Sequence, residues 1–252
     1  MIEGRHALVT GGGTGVGRAI ALALAEAGAS VTICGRREAP LAQAAGEHTR
    51  IAALVADVTD EAAMVRLHAE AEAARGPLDI VIANAGGAES GPAHRTSLVD
   101  WQRTLDLNLT GAFLTVKPAL AGMTRRKAGR IVFVASTAGL KGYAYVAPYV
   151  AAKHGVVGLM RALAVETVKS GVTVNAVCPG FVETEMLVQS VQRIVETTGR
   201  SADEARASLA ATNPQHRFIQ PQEVAAAVLW LCSDAARSVT GQALSISGGE
   251  TW

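Results

Sequence analysis

Tyr149 and Lys153 stand four residues apart at the start of an apolar, helix-like segment, and Ser136 lies thirteen residues before the tyrosine. That spacing puts a phenol and an ammonium on one helix face, about one turn apart. A free phenol has a pKa near ~10 and is a poor acid at neutral pH. A neighbouring ammonium stabilises the phenolate and is expected to draw the group into working range. Ser136 follows the apolar run Ile131–Ala135 and could hydrogen-bond a carbonyl oxygen beside the phenol. Together the three would deliver a proton to a carbonyl undergoing reduction. Taken alone, the pair equally suits a solvated helix face, and the serine a turn. The elements that position them carry the decision.

Those elements alternate. Short β-rich runs cover His6–Thr10, Ser30–Cys34, Ile51–Val55, Asp79–Ala83, Arg130–Ala135, Thr173–Cys178 and Ala243–Ile246. Most are continuous apolar runs, the pattern of parallel strands buried on both faces. The Ala-rich stretches between them have helical character and are about 10–20 residues long, enough for crossovers. Ser97–Asp100 reads as a helix start, and Pro221 suits the first turn of a late helix. The alternation predicts one α/β domain over residues 1–252, a doubly wound parallel sheet of about seven strands with helices on both faces. Residues from Glu185 to about 217 break the rhythm, with short helices expected at Met186–Val195 and Ala202–Ala211. An insertion there reads as a substrate-covering lid.

Composition narrows the function. Hydrophobic residues make up 49% and aromatics 4%, so the core is aliphatic. A formal charge of +1 gives no electrostatic basis for binding nucleic acid or an acidic membrane. No apolar run approaches the ~20 residues of a membrane span, and the first one, Ala7–Val9, ends in glycines, unlike a signal peptide. Cys34, Cys178 and Cys232 are widely spaced and odd in number, which predicts reduced structural thiols in a cytoplasmic protein. The histidines and carboxylates show no metal-ligand spacing, and no metal is expected.

The first strand runs into Thr10–Gly17, T-G-G-G-T-G-V-G, followed by an amphipathic helix over Val16–Ala27. Gly11, Gly15 and Gly17 permit a tight turn, close approach of backbone to a pyrophosphate, and close helix–strand packing. The helix N-terminus would present free N–H groups to the phosphates. At the end of the second strand, where an acidic residue would accept from both ribose hydroxyls, stands Cys34-Gly35-Arg36-Arg37. Two guanidiniums there suit a 2′-phosphate, or a solvated loop. NADP(H) is therefore expected over NAD(H), with Arg36 the stronger candidate.

T-G-x-x-x-G-x-G, Asn84-Ala85-Gly86, Asn108, Ser136, Tyr149-x-x-x-Lys153 and Pro179-Gly180-x-x-x-Thr184 occur in the order of the classical short-chain dehydrogenase/reductases. The chain resembles that family over essentially its whole length, and its Ala147–Gly158 and Asn175–Met186 segments resemble ketoreductases of polyketide or 3-oxoacyl thioesters. The resemblance implies a Rossmann fold and an Asn108–Ser136–Tyr149–Lys153 catalytic set, with Asn108 holding a water that links the lysine to solvent. It implies that Gly11, Gly13, Thr14, Gly15, Val16, Gly17, Asp57, Val58, Asn84, Ala85, Gly86, Tyr149, Lys153, Pro179, Gly180, Val182 and Thr184 border the dinucleotide. Asp57 would lie near the adenine, or serve as a helix cap with Thr59. Ala83 stands where the family usually has a further Asn, a departure that bears on local packing. Ser136, Ala138, Tyr143, Phe181, Met186 and Leu187 would form the substrate pocket.

The implied partner is a small carbonyl or alcohol, free or carried as a CoA or carrier-protein thioester, and the implied assembly is a homotetramer. Arg193, Arg200 and Arg206 could attract a thioester carrier's phosphate or be solvated helix charges. Two other readings stay open at this stage. One is an NAD-dependent catabolic hydroxyacyl-CoA or alcohol dehydrogenase; the other is a non-catalytic nucleotide-binding scaffold.

Overall fold

The computed structural model describes residues 2–251. In chain order the elements are β1 (His6–Thr10), α1 (Gly15–Glu26), β2 (Ser30–Gly35), α2 (Glu38–Gly46), β3 (Ile51–Val55), α3 (Glu61–Arg75) and β4 (Ile80–Ala83). There follow α4 (Leu98–Leu105), α5 (Gly111–Arg126), β5 (Gly129–Val134), α6 (Ala147–Thr167) and β6 (Val172–Pro179). The chain closes with α7 (Glu185–Thr198), α8 (Ala202–Ala210), α9 (Pro221–Cys232) and β7 (Ala243–Ile246). The seven strands form one sheet in the order β3-β2-β1-β4-β5-β6-β7, and every neighbouring pair is parallel.

The continuous apolar runs have the burial expected of them. Every residue of β1, β4, β5 and β6 is buried. Successive side chains alternate between two cores because a strand's side chains have a period of two. Ala7, Val9, Ile80, Ile82, Val132 and Val177 pack against α1, α2 and α9. Leu8, Val81, Ile131, Phe133, Val174 and Ala176 face α3, α5 and α6. The amphipathic α4 starts where expected, with Ser97 capping it by accepting from the Asp100 N–H at 3.1 Å. Pro221 opens α9. Strand edges differ from the sequence expectation by a residue or two, and the late helices are α7 over Glu185–Thr198 and α8 over Ala202–Ala210.

The order of the sheet sets the position of the site. From β1 the chain winds outward through β2 and β3, then returns to β4 on the other flank of β1. The loops after β1 and β4 therefore diverge and leave a crevice at the carboxyl edge, the place where open α/β sheets bind ligands. The loops after β5 and β6 open onto that same edge.

Phe133, next to last in β5, has no solvent exposure. Phe133→Ala is expected to cost about 3–5 kcal/mol of folding stability, measured by urea unfolding. A loss under about 1 kcal/mol would show that this layer is not packed as described.

Candidate active site

The crevice is floored by Thr10 and Asn84. The Thr10 hydroxyl accepts from the N–H groups of Asn84 at 3.0 Å and Ala85 at 3.1 Å. The Asn84 amide donates to the Thr10 carbonyl at 2.9 Å. These bonds tie the end of β4 to the end of β1. Between Thr10 and α1 the chain turns through Gly11 and Gly15, at φ 65° and 52°, where a side chain would be strained. A Cβ on Gly17 would overlap the Gly11 carbonyl, so α1 lies as close to the turn as backbone allows. Thr14 gives α1 no side-chain cap, and no acidic residue sits in its first turn. The helix's leading N–H groups thus face the crevice without a neutralising partner from their own turn, the arrangement that suits a pyrophosphate.

Around this turn lie the other residues expected to border a cofactor. Gly13 packs behind it, against Pro40 and Leu41 at the start of α2. Val16 lies in the first turn of α1, half-buried against the core. Arg36 and Arg37 are exposed at the end of β2, with the Arg37 guanidinium 4.0 Å from the Glu185 carboxylate. Asp57 accepts from the Thr59 N–H at 2.9 Å and hydroxyl at 2.8 Å. Those bonds, the backbone one foremost, hold its carboxyl below the usual range, and Arg36 nearby acts in the same direction. The helix cap is a different residue: Asp60 accepts from the Ala63 N–H at 3.0 Å and starts α3. Val58 is buried against Gly111.

Asn108 is not in regular α-helix. It sits in a single π-helical turn, Asp106–Thr110, between α4 and α5, a local widening often found at functional positions. Its side chain is buried and grips Gly87 from both sides, donating to the carbonyl at 2.9 Å and accepting from the N–H at 3.1 Å. A Cβ on Gly86 would lie 2.7 Å from Asn108 Oδ1 and 3.5 Å from Lys153 Nζ. Asn108, Gly86 and Lys153 therefore meet at one point.

Tyr149 and Lys153 both lie on α6, in its first two turns. The Lys153 amino group is buried and donates to the Val134 carbonyl at 2.9 Å, 5.6 Å from the centre of the Tyr149 ring. Ser136 follows β5 and caps a 3₁₀ turn by accepting from the Ala138 N–H at 3.1 Å; its hydroxyl is near enough to the Tyr149 phenol to influence its ionisation. The net shift of the phenol is opposite to the lowering expected of it. Burial raises Tyr149, with the Ser136 hydrogen bond acting against it. Burial pulls Lys153 down to about 8. The ammonium points at a backbone carbonyl and pays for its own desolvation, and the phenol stays firmly protonated.

Pro179 ends β6, and Gly180, Phe181, Val182 and Thr184 follow at the same edge. Thr184 Cγ2 lies 3.2 Å from where a Cβ on Gly15 would be, which brings this loop over the glycine turn. Ala138 is buried just past Ser136, and the Tyr143 and Phe181 rings meet edge to face with centroids 6.5 Å apart. Met186 is exposed, whereas Leu187 is buried in a small core with Val191 and Ala205, against which Phe181 packs. Leu187 therefore belongs to the joint between α7 and α8 more than to a pocket wall. Arg206 is held in place, donating to both Glu183 oxygens at 2.8 and 2.9 Å with its guanidinium over Phe218. Arg193 and Arg200 are exposed.

Residues 5–194 match the family model described as short chain dehydrogenase. The chain belongs to the short chain dehydrogenase family. A ketoacyl reductase of the granaticin polyketide synthase of Streptomyces violaceoruber is 41% identical, covering 96% of this chain and 92% of the relative. D-beta-hydroxybutyrate dehydrogenase of Cupriavidus necator is 38% identical over 99% of this chain and 98% of its own. Among solved structures, a variant of actinorhodin polyketide ketoreductase with NADPH superposes with a TM-score of 0.95 at 38% identity, over 98% of this chain and 97% of that one. This chain is thus a short-chain oxidoreductase acting on CH–OH and C=O groups, and its ketoreductase relatives mark it as an oxidoreductase of ketones.

Three residues of this short chain dehydrogenase's site escaped the sequence reading. Thr10 was visible only as the start of the glycine motif. The Cys178 thiol is pushed up to about 11 by burial, against which the Ser136 backbone and Lys153 both act. Glu250 reaches the site from the far end of the chain, to Tyr143. The three cysteines are free and buried. Among the described residues there is no group of three or more His, Cys, Asp or Glu side chains able to hold a metal, and no helix long and apolar enough to cross a membrane. A cavity of about 330 Å³ lined by Arg5, Asp79, Arg130 and Asp234 lies at the opposite edge of the sheet, away from these groups.

Lys153 titrates near pH 8 when folded and near 10.5 otherwise. Between those values the unfolded chain binds more protons, so the lysine's contribution to stability rises with pH. Relative to Lys153→Met, the protein is expected to gain up to about 3 kcal/mol between about pH 7.5 and 10, read by urea unfolding at each pH. A gap that does not change with pH would show that the ammonium remains solvated.

Proposed function

We propose that the protein is an NADP(H)-dependent ketone reductase, or the reverse secondary-alcohol dehydrogenase, acting on a 3-oxoacyl thioester or a related bulky ketone. The observation that carries this reading is the gathering of Asn108, Ser136, Tyr149 and Lys153 at the carboxyl edge of the sheet, beside an uncapped helix N-terminus and its glycine turn. When bound, the nicotinamide supplies the hydride.

The protein's own groups supply the rest. Tyr149 gives its proton to the oxygen of the carbonyl as charge develops there. A phenol kept protonated by burial suits that direction, because it holds the proton until a strong base forms beside it. Ser136 positions and polarises the carbonyl oxygen. Lys153 stabilises the phenolate left behind and contacts the nicotinamide ribose. Asn108, locked to Gly87 and adjoining Lys153 at Gly86, supports the return of a proton from solvent. Arg36 and Arg37 receive the 2′-phosphate. The α7–α8 pair, held to the base of the cleft by Arg206 and Glu183, serves as the lid over the substrate.

Assembly as a homotetramer agrees with the exposed apolar side chains Leu98, Val99, Val165 and Trp230 on the helices, and a cytoplasmic setting agrees with three free thiols. The similarity to D-beta-hydroxybutyrate dehydrogenase supports a second reading, NAD-dependent oxidation of a small hydroxy acid or hydroxyacyl thioester. Side-by-side titration with NADH and NADPH separates the two. A non-catalytic scaffold is disfavoured, because a binding module gains nothing from burying an ammonium beside a phenol.

Tyr149→Phe is expected to lower kcat for reduction of a generic diketone by at least about 10²-fold while leaving NADPH affinity largely intact, checked by steady-state kinetics and cofactor fluorescence. A variant that kept most of its turnover would remove Tyr149 from the role of acid. Arg36→Ala is expected to weaken NADPH by roughly tenfold or more and NADH hardly at all. Equal losses for both cofactors would argue against phosphate recognition at this loop.

A further inference from the structure

We infer that Glu250 is a positioning residue of the carbonyl site, acting through Tyr143. Its side chain is 1% exposed although it lies in the C-terminal segment. One carboxylate oxygen accepts from the Tyr143 hydroxyl at 2.6 Å and lies 3.0 Å from the Lys141 ammonium. The other oxygen is buried with no hydrogen-bond partner among the described residues. A Cβ on Gly180 would come within 3.1 Å of that oxygen, so the absence of a side chain at position 180 makes room for it. The segment that carries Glu250 is fastened by hydroxyls: Ser245 bonds to Ser247 at 2.8 Å and to Thr251 at 2.6 Å.

The donor order is set by chemistry. A carboxylate only accepts, so Tyr143 donates to Glu250 and its oxygen accepts from the Thr137 hydroxyl 2.6 Å away. Thr137 is buried and directly follows Ser136. The Tyr143 ring is held from three directions: by the carboxylate, by Phe181 edge to face, and by the Lys141 ammonium 4.9 Å from its centre. Tyr143 is near enough to Tyr149 for their phenolates to repel, and burial, followed by the bond to Glu250, raises it.

Two consequences follow, both resting on the reductase reading above. Tyr143 presents a fixed ring wall to the substituents of the ketone. Its one proton is committed to Glu250, which leaves Tyr149 as the phenol able to protonate the substrate. Glu250 thus favours a bulky, rigid ketone that fills the space against that wall.

The test is a double-mutant cycle with Glu250→Gln, Tyr143→Phe and the pair, assayed with NADPH on a bicyclic ketone and on a small linear diketone. Each single variant should raise KM for the bicyclic ketone about tenfold, with the smaller change in kcat and a lesser effect on the diketone. The double variant should be no worse than Tyr143→Phe. Multiplying losses, or equal losses on both ketones, would overturn the inference. Should the parent turn over neither ketone, the reductase reading fails, and the clamp is judged by phenol ionisation at 295 nm, which Tyr143→Phe assigns. Tyr143 should then ionise at lower pH in Glu250→Gln than in the parent, and an unchanged titration would overturn the clamp. If Glu250→Gln folds poorly, Tyr143→Phe alone, which leaves the carboxylate in place, still tests the clamp: an unchanged KM for the bicyclic ketone would overturn it.

Discussion

An amino group taken out of water is the constraint around which this site is built. Lys153 loses most of its hydration in return for one backbone carbonyl, that of Val134, and the exchange leaves the charged form weakened. A buried cation is tolerated only where its surroundings are held in place. Here β5 supplies the carbonyl, α6 supplies the lysine, and the π-helical turn at Asn108 closes the third side through Gly86. Each comes from a different part of the chain. The sheet is what fixes their separation.

Burial also acts in opposite directions on Tyr149 and its neighbour. The proton affinity of the Tyr149 phenol is raised and that of the Lys153 amine lowered, so burial moves apart two groups that are nearly equal in water. Proton movement between such groups and a substrate oxygen requires less reorganisation than the same movement in solvent. The second phenol, Tyr143, keeps its proton and donates it in a hydrogen bond to the Glu250 carboxylate.

Much of the architecture was legible along the chain because parallel strands buried on both faces must be written as unbroken apolar runs, and each such run stands where it was expected. The glycine turn was legible for a related reason: left-handed backbone at Gly11 and Gly15, and the contact at Gly17, exclude other side chains. Spacing alone placed Tyr149 and Lys153 on one helix. The expected direction of the Tyr149 shift failed because spacing reports proximity but not solvent. Leu187 is turned inward because α7 and α8 form a small core of their own, a contact its neighbours in sequence do not record. Asp57 was read as a possible cap, and the cap proved to be Asp60 three residues on, because an Asx-type bond to Thr59 competes for the aspartate's oxygens.

By itself the sequence determined the class of fold, the glycine turn and the placing of Tyr149 and Lys153 on one helix, because each rests on local geometry: a two-residue period, a positive φ, a four-residue step along a helix. Only the tertiary structure decided in which direction burial moves the proton affinities of those side chains, and that a carboxylate 107 residues beyond Tyr143 is its partner. Desolvation and long-range hydrogen bonds depend on what folds over a group, and nothing in the residues beside it records that.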